Sequence, residues 1–280
     1  MNYRHAFHAG NFADVMKHAL LAWTVEYLKR KPKPFLALDS HAGAGLYRLD
    51  APEAARTGEW RDGIARVLAA ADAPAETAPY LATVRSFGAG AYPGSPLLLK
   101  ALLRKTDRLV ACERHPEDAA ALALALGGGR GRLSVLRQDG YGALRALPPP
   151  ERRGLVLIDP PYEAPDEFDR VVAALKTVHR LFATGTVLAW YPIKAGWGTE
   201  AFRAELSQIG LKRALAAELR VTAEDPKRLT GSGLVVVNPP FGFEEAARRM
   251  LDWLARVLGR DGSAATRLIP IAQDGKGQAA

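Results

Sequence analysis

Short apolar runs alternate with helical stretches along most of this chain. The runs have the length of buried strands and occupy residues 35–38, 109–113, 133–136, 155–158, 186–190, 214–221 and 234–237. Amphipathic segments precede or separate most of them, at residues 11–30, 96–104, 116–126, 166–182 and 200–209. Because such alternation joins parallel strands through helical crossovers, the sequence predicts an α/β fold with a mostly parallel, doubly wound sheet. A loop alone joins the last two runs, which predicts an antiparallel pair.

One connection is far longer than an ordinary strand–helix loop, which has about 2–6 residues. It separates the glycine-containing loop at 39–45 from Ser95-Pro96, where we expect a helix N-cap and a proline at the first helical position. The intervening stretch has amphipathic patterns of its own. We therefore predict a small helical subdomain at residues 48–92, inserted into a main domain formed by residues 1–47 and 93–280.

The composition limits the class of protein and its partners. Hydrophobic residues make up 48% and charged residues 24%, as in ordinary globular domains. The net charge of +8 favours a phosphate-bearing partner. The single cysteine, Cys112, excludes an intrachain disulfide and agrees with a reducing compartment. No apolar run approaches the roughly 20 residues that span a bilayer, and no signal peptide is recognisable, so we expect a cytoplasmic protein without a membrane partner.

A hydrophobic strand followed by Asp-Pro-Pro-Tyr is the most informative motif. Residues 155–158 are expected to deliver Asp159 to the carboxyl edge of the sheet, where ligands bind in open α/β folds. Pro160 and Pro161 remove two N–H donors and keep the backbone extended. An exposed carbonyl and the Asp159 carboxylate then accept hydrogen bonds, and Tyr162 offers a flat face. This site suits an exocyclic amine on an aromatic ring, unless the segment is an ordinary strand exit.

Acidic residues end the three other predicted strands of this edge. Asp39 opens the loop at 39–45, whose glycines let the backbone approach a bound nucleoside. Glu113 is placed to accept hydrogen bonds from ribose hydroxyls, and Asp139, followed by Gly140, is placed to meet the adenine amine of a cofactor. Each acid alone is also consistent with a solvated strand end. Together with the Asp-Pro-Pro-Tyr motif, they predict a nucleoside-binding edge.

The histidines allow two interpretations each. His18 borders the apolar stripe of the first helix, so it is either a cofactor contact or a core residue with its hydrogen bonds satisfied. His41 lies inside the glycine-containing loop, where a side chain is close to any ligand. His5 and His8 have neither the spacing nor the acidic or cysteine partners of a zinc site, so we expect no metal.

A second motif of the same form occurs late in the chain. Asn238-Pro-Pro-Phe follows the last predicted strand, after the antiparallel hairpin. That position is far along the sheet from the nucleoside-binding edge. We therefore expect Asn238 to close the sheet and lead into a helix at residues 244–257, and Asp159 to be the catalytic copy.

With these residues in view, the chain resembles the bacterial RlmJ family, which methylates the N6 of an adenine in large-subunit (23S) ribosomal RNA. The resemblance extends from Tyr3 to about Pro270. Its most distinctive stretches are YRHAFHAGNFADVMKH, LDSHAGAG, RTGEW, YPGSP, LIDPPYE, WYP and TGSGLVVVNPP. It implies a Rossmann-like, seven-stranded methyltransferase fold with one reversed strand, S-adenosylmethionine as the methyl donor, and an inserted helical subdomain.

The resemblance also assigns roles to individual residues. Asp159 corresponds to the catalytic residue at the target amine. The positions that resemble cofactor contacts are His18, His41, Ser95, Glu113, Asp139, Gly140 and Asp159. Tyr3, in the segment of residues 1–10, resembles a residue that touches RNA, and Tyr162 is expected to face the target base.

Two other functions stay open at this point. The same chemistry on DNA adenine shares the Asp-Pro-Pro-Tyr motif, although the chain shows no additional target-recognition domain. A non-catalytic nucleic-acid-binding protein with the same fold is the second, and the intact acids Asp159, Glu113 and Asp139 argue against it. For the RNA enzyme we expect a monomer that acts on 23S ribosomal RNA before the ribosome is fully assembled.

Overall fold

A computed structural model describes residues 4–128 and 131–272 of the chain. Its strands are β1 (Leu36–Asp39), β2 (Leu46–Arg48), β3 (Ala91–Pro93), β4 (Arg108–Cys112), β5 (Leu133–Leu136), β6 (Gly154–Ile158), β7 (Thr186–Ile193), β8 (Ala214–Arg220), β9 (Gly231–Val237) and β10 (Ala265–Ala272). Its α-helices are α1 (Phe12–Lys29), α2 (Pro52–Thr57), α3 (Arg66–Ala69), α4 (Ala78–Ser86), α5 (Ser95–Leu102), α6 (Pro116–Leu126), α7 (Gly140–Ala143), α8 (Glu167–Leu181), α9 (Thr199–Gln208) and α10 (Phe243–Leu258).

The large sheet runs in the order β10-β8-β9-β7-β6-β1-β4-β5. Strands β5, β4, β1, β6 and β7 run parallel to one another, whereas β9 is antiparallel to both β7 and β8. The predicted α/β class, the mostly parallel sheet and the final antiparallel pair are therefore confirmed.

The expected count of seven strands with one reversed strand is wrong by one strand. Residues 265–272 form an eighth, β10, which pairs antiparallel with β8, so β9 and β10 both run against the parallel strands. The sequence hides this strand because Pro270 interrupts its apolar pattern. A proline is tolerated there because β10 lies at the sheet edge, where the register shifts between Pro270 and Ala272.

Alternate residues of the central strands face opposite sides of the sheet, as a doubly wound fold requires. In β6, Leu155 and Leu157 pack with the helices α1, α5, α6 and α10, whereas Val156 and Ile158 pack with α8 and α9. Both faces are covered, so ligand access is left at the strand ends. The carboxyl ends of β1, β4, β5, β6 and β7 all meet at one edge.

The long connection after β1 is helical for much of its length. It holds α2, a π-helical turn at Arg61–Ala65, α3 and α4, and its two ends pair as β2 and β3 in a small antiparallel ribbon. Most of its buried apolar residues, Ile64 and Tyr80 among them, share one apolar cluster with α1. The division of the chain into a main domain and a subdomain at 48–92 stays a prediction.

The start of α5 differs from the expected N-cap. Gly94 occupies the N-cap position, and Ser95 is the first helical residue. The Ser95 hydroxyl is engaged elsewhere, because it donates to Oδ2 of Asp39 at 2.6 Å. Among the described residues, no helix combines the length and apolarity needed to cross a membrane.

Candidate active site

A cavity of about 700 Å³ opens at the carboxyl edge of the parallel strands. Its volume lies within the range of small-molecule sites, roughly 300–1,000 Å³. Its walls include every residue that the sequence assigned to the cofactor, namely His18, His41, Ser95, Glu113, Asp139, Gly140 and Asp159. The fold therefore brings together side chains from α1, α5 and the ends of four strands.

The glycine-containing loop and Glu113 form one wall as a unit. The backbone N–H of Gly43 donates to Oε2 of Glu113 at 2.8 Å, and the N–H of His115 donates to Oε1 at 2.7 Å. Gly43 has a φ of +62°, and a Cβ there would lie 2.2 Å from the Tyr47 hydroxyl. The positive φ of Gly43 favours glycine there, and its N–H helps to hold the buried Glu113 carboxylate at the cavity surface.

Gly140 brings the end of β5 against the end of β1. A Cβ at Gly140 would lie 1.7 Å from the carbonyl oxygen of Ser40, so only glycine fits without a shift of the backbone. Asp139 directly before it is half-exposed, and Arg170 lies 3.6 Å from its Oδ1. The Asp139 carboxylate is therefore available at the cavity mouth.

Asp39 lies behind the wall and not on it. Its side chain is fully buried and receives the Ser95 hydroxyl. Burial raises the pKa of Asp39 to about 7, against the opposing effect of the Ser95 hydrogen bond and with a further contribution from the charge of Asp159. Asp39 thus fixes the strand end and α5 relative to each other.

Both candidate histidines are uncharged at neutral pH. Burial lowers the pKa of His18 to about 3, and burial together with the charge of Arg170 lowers the pKa of His41 to about 3. His18 Nδ1 lies 2.7 Å from the Tyr92 hydroxyl, which is itself 3.1 Å from the Tyr80 hydroxyl. His18 is thus a core histidine with a satisfied hydrogen bond that also lines the cavity.

The Asp159 carboxylate forms an ion pair with Lys17 of α1. Lys17 Nζ lies 2.5 Å from Oδ2 of Asp159 and 3.0 Å from Oδ1 of Asp14. Asp14 also accepts the Gly10 N–H, and His5 Nε2 lies 2.9 Å from it. The sequence patterns did not single out Asp14 and Lys17 as site residues. Two charged residues one turn apart on an apolar helix face are nevertheless a pattern that indicates a buried ion pair.

Tyr162 lies behind the cavity wall, and Trp190 lies on it. The Tyr162 ring is buried edge-to-face against Phe168 and Trp190, and its hydroxyl donates to the Trp190 carbonyl at 2.9 Å. Trp190 lines the cavity, and Lys17 Nζ lies 5.8 Å from its ring centre. The structure therefore places Trp190, rather than Tyr162, where a base can be stacked.

Asn238 lies at the other edge of the sheet from the cavity, because β9 runs against β6 and β7. Its Nδ2 donates to the carbonyls of Ala183 and Gly185, at 2.8 Å each. The side chain thus closes the turn between α8 and β7. Asn238 therefore has a structural role in this turn, as the position of the second motif suggested.

Tyr3 lies outside the described residues, so its assigned role stays a prediction. Within the described ranges, no group of three or more His, Cys, Asp or Glu side chains is arranged to hold a metal ion. His8 is engaged instead, with Nδ1 3.0 Å from a Glu59 oxygen.

Comparison with known proteins agrees with this geometry. A family model described as "Ribosomal RNA large subunit methyltransferase D, RlmJ" matches residues 32–269. The chain is 42% identical to ribosomal RNA large subunit methyltransferase J of Escherichia coli (strain K12), over 91% of this chain and 92% of that protein. It is 40% identical to the protein of the same name from Haemophilus influenzae, over 94% and 96%.

A solved structure has the same fold over nearly its whole length. The crystal structure of a Legionella pneumophila protein superposes with a TM-score of 0.87 and 34% sequence identity, covering 94% of this chain and 98% of that one. The match includes the region of residues 48–92 as well as the sheet, since so little of either chain is left out.

Proposed function

The chain belongs to the RlmJ family of ribosomal RNA large subunit methyltransferases, and from this premise we propose that it methylates the N6 amine of an adenine in 23S ribosomal RNA, with S-adenosylmethionine as the methyl donor. The observation that carries the proposal is the Asp159–Lys17 pair at the end of β6, which shares one cavity with the whole predicted cofactor set.

The donor set of the cavity fits S-adenosylmethionine. The buried Glu113 carboxylate is held by two backbone N–H groups and faces a nucleoside-sized space, as a ribose diol requires. Asp139 and the close approach at Gly140 suit the adenine ring and its amine. His41, which lines the same cavity as Asp139 and Gly140, is uncharged at neutral pH and so adds no positive charge to the cofactor site. When bound, the cofactor supplies a methyl group on a positively charged sulfur.

The remaining side chains suit the target amine. Oδ2 of Asp159 is occupied by Lys17, so its Oδ1 and the Pro160 carbonyl are left to accept the two N–H groups of adenine N6. These hydrogen bonds would favour a tetrahedral nitrogen whose lone pair can attack a methyl carbon. Bound S-adenosylmethionine would supply that methyl group and leave as S-adenosylhomocysteine, and the proton released by the methylated amine would pass to water. Positioning and electrostatics supply most of the rate.

The base must leave its stack to reach this depth, which costs a few kcal/mol. The Trp190 ring on the cavity wall offers a stacking surface that returns about 1–3 kcal/mol of that. Tyr3 and the segment of residues 1–10 are proposed to meet the RNA above the cavity. We propose further that the enzyme is a cytoplasmic monomer, needs no metal, and acts before the ribosome is complete.

Transfer of a radiolabelled methyl group separates this function from the alternatives. We expect incorporation into a 23S ribosomal RNA transcript in the presence of a chelator, no incorporation into DNA, and N6-methyladenosine in the digested product. Incorporation into DNA alone would establish a DNA methyltransferase. Cofactor binding without transfer to either nucleic acid would indicate a non-catalytic binding protein.

A further inference from the structure

We propose that the loop at residues 194–198, together with a second cavity that it borders, binds a nucleotide near the target adenine in the same RNA strand. The inference rests on the proposed RNA substrate, and it assigns a place to RNA outside the active-site cavity. The second cavity has a volume of about 350 Å³, and its walls include Trp197, Thr199, Arg203, Arg220 and Arg267.

The two cavities are neighbours along β7. Trp190 lines the active-site cavity, and Ile193, three residues on, lines the second. The Thr230 N–H and hydroxyl both donate to the Ile193 carbonyl, at 3.2 and 3.3 Å. Leu229, the residue before Thr230, lines the active-site cavity. At about 3.3 Å per strand residue, loop 194–198 begins about 13 Å from Trp190, within reach of the same RNA strand.

Trp197 is presented outward in this loop. Its side chain is 38% exposed, and the glycines on either side, Gly196 and Gly198, have φ values of +78° and +72°. Lys194 Nζ lies 4.8 Å from the centre of the Trp197 ring. The ammonium covers one face of the indole, so the other face is the platform that stacks on an unpaired base, while the cation meets the backbone phosphate.

Three cations around the second cavity are available to phosphates, whereas Arg203 and Arg220 on its wall pair with Glu218 and Glu224. Lys194, Arg228 and Arg267 pair with no carboxylate of residues 4–128 or 131–272, whereas the exposed Arg249 on α10 pairs with both Glu76 and Glu245. Two residues on the wall of the second cavity also each have a buried polar atom, the Thr199 hydroxyl and Arg220 Nε, with no hydrogen-bond partner within the described residues. Polar atoms in such a position are expected to bind a ligand or water.

The test compares Trp197→Ala with Phe241→Ala, which removes an 85% exposed aromatic ring after β9, at the other edge of the sheet. For Trp197→Ala we expect the KM for a 23S transcript to rise about tenfold, with kcat and the cofactor Kd unchanged. Trp197→Phe should restore most of the loss. Lys194→Gln should reduce the slope of log Kd for RNA against log salt by about one.

Several results would overturn the inference. One is equal kinetics for Trp197→Ala and Phe241→Ala. Another is a Trp197→Ala defect seen on ribosomal particles and not on naked transcript, which would assign the loop to a protein partner. If the wild-type protein methylates no RNA, the proposed function fails, and filter binding of the transcript still decides the inference. Binding weakened by Trp197→Ala then upholds it, and unchanged binding rejects it.

Discussion

Lys17 Nζ and Asp159 Oδ2 are 2.5 Å apart, although 142 residues separate them in the sequence. Burial alone would lower the pKa of Lys17, but the carboxylates of Asp159 and Asp14 outweigh it and raise that pKa, so Lys17 stays protonated. The pair therefore fixes the direction of the Asp159 carboxylate from the first helix. Lys17 is a positioning residue, and the reaction depends on it through Asp159.

Replacing Lys17 by Met should lower kcat about a hundredfold or more, since a misdirected carboxylate no longer aligns the amine and about 2.7 kcal/mol of barrier corresponds to that factor. The cofactor Kd should change little, because the nucleoside contacts belong to strand ends. Steady-state kinetics and calorimetry on the same preparation measure both quantities. Lys29→Met is the control, because Lys29 pairs with Glu26 on the same helix away from the cavity. Wild-type kcat in Lys17→Met would contradict the role of the pair.

Asp159→Ala and Asn238→Ala should have opposite effects. The first removes the proposed amine acceptor, so methyl transfer should be lost while the protein stays folded. The second removes two side-chain hydrogen bonds to Ala183 and Gly185, which costs about 1–3 kcal/mol. We expect a Tm lower by about 2–10 °C for a domain of this size, with near-normal kcat per folded molecule. An active Asp159→Ala protein beside an inactive, folded Asn238→Ala protein would reverse the assignment.

Most of the fold could be predicted from the sequence, because its central strands are short apolar runs buried on both faces of the sheet. β5 and α6 have the predicted bounds, β6 begins one residue earlier than predicted, and β1, β4 and α8 differ by one residue at each end. The edge strand β10 was missed because a half-exposed strand with Pro270 lacks that signal. Local patterns thus report buried strands well and edge strands poorly.

Residue patterns alone predicted the site only where its residues follow strands, whereas His18 and Ser95 were assigned from the family resemblance. Glu113, Asp139 and Asp159 follow the parallel strands β4, β5 and β6, with only β1 between β6 and β4, so topology alone brings them to one edge. Lys17 reaches the site from α1, whose packing on the sheet has no local signature. The inward turn of Tyr162, with a φ of +51°, likewise depends on tertiary contacts with Phe168 and Trp190.

The buried carboxyl of Asp39 predicts an unusual dependence of stability on pH. Its pKa is raised to about 7 in the folded protein, mainly by burial, above the ordinary 3.8 of the unfolded chain. The unfolded chain therefore ionises first as pH rises, and stability is lost between about pH 4 and pH 7. Asp39→Asn removes this titration and keeps an acceptor for Ser95. Its Tm relative to wild type should rise from about pH 4.5 to about pH 8.5, by the equivalent of about 4 kcal/mol at most.

Asp107→Asn should behave in the opposite way and serves as the control. Burial would raise the pKa of Asp107, but hydrogen bonds from Arg104 and from backbone N–H groups outweigh it and lower that pKa. Asp107 therefore stabilises the fold at neutral pH and loses that contribution in acid. Thermal denaturation of both variants across the pH range measures the two slopes. Parallel curves for Asp39→Asn and wild type would show that Asp39 does not titrate as stated.

Gly140→Ala should damage the cofactor site, and Gly142→Ala should not. Both glycines lie in α7, but a Cβ at Gly140 would lie 1.7 Å from the Ser40 carbonyl oxygen, whereas a Cβ at Gly142 meets nothing within 4 Å. The added methyl at Gly140 must push the β5–α7 turn away from the end of β1, and overpacking of this kind costs about 1–3 kcal/mol. Asp139 and His41 move apart with it, since they lie on the two sides of that contact.

We therefore expect Gly140→Ala to weaken S-adenosylmethionine binding about tenfold or more, because about 1.4 kcal/mol corresponds to a factor of ten, and to lower the Tm of the ligand-free protein. Gly142→Ala should bind normally, with a stability equal to or slightly above wild type, since alanine is favoured over glycine in a helix by about 0.5–1 kcal/mol. Calorimetric titration and thermal denaturation, with and without cofactor, give both values. Unchanged cofactor affinity in Gly140→Ala would mean that the contact between β5 and β1 does not shape the nucleoside site.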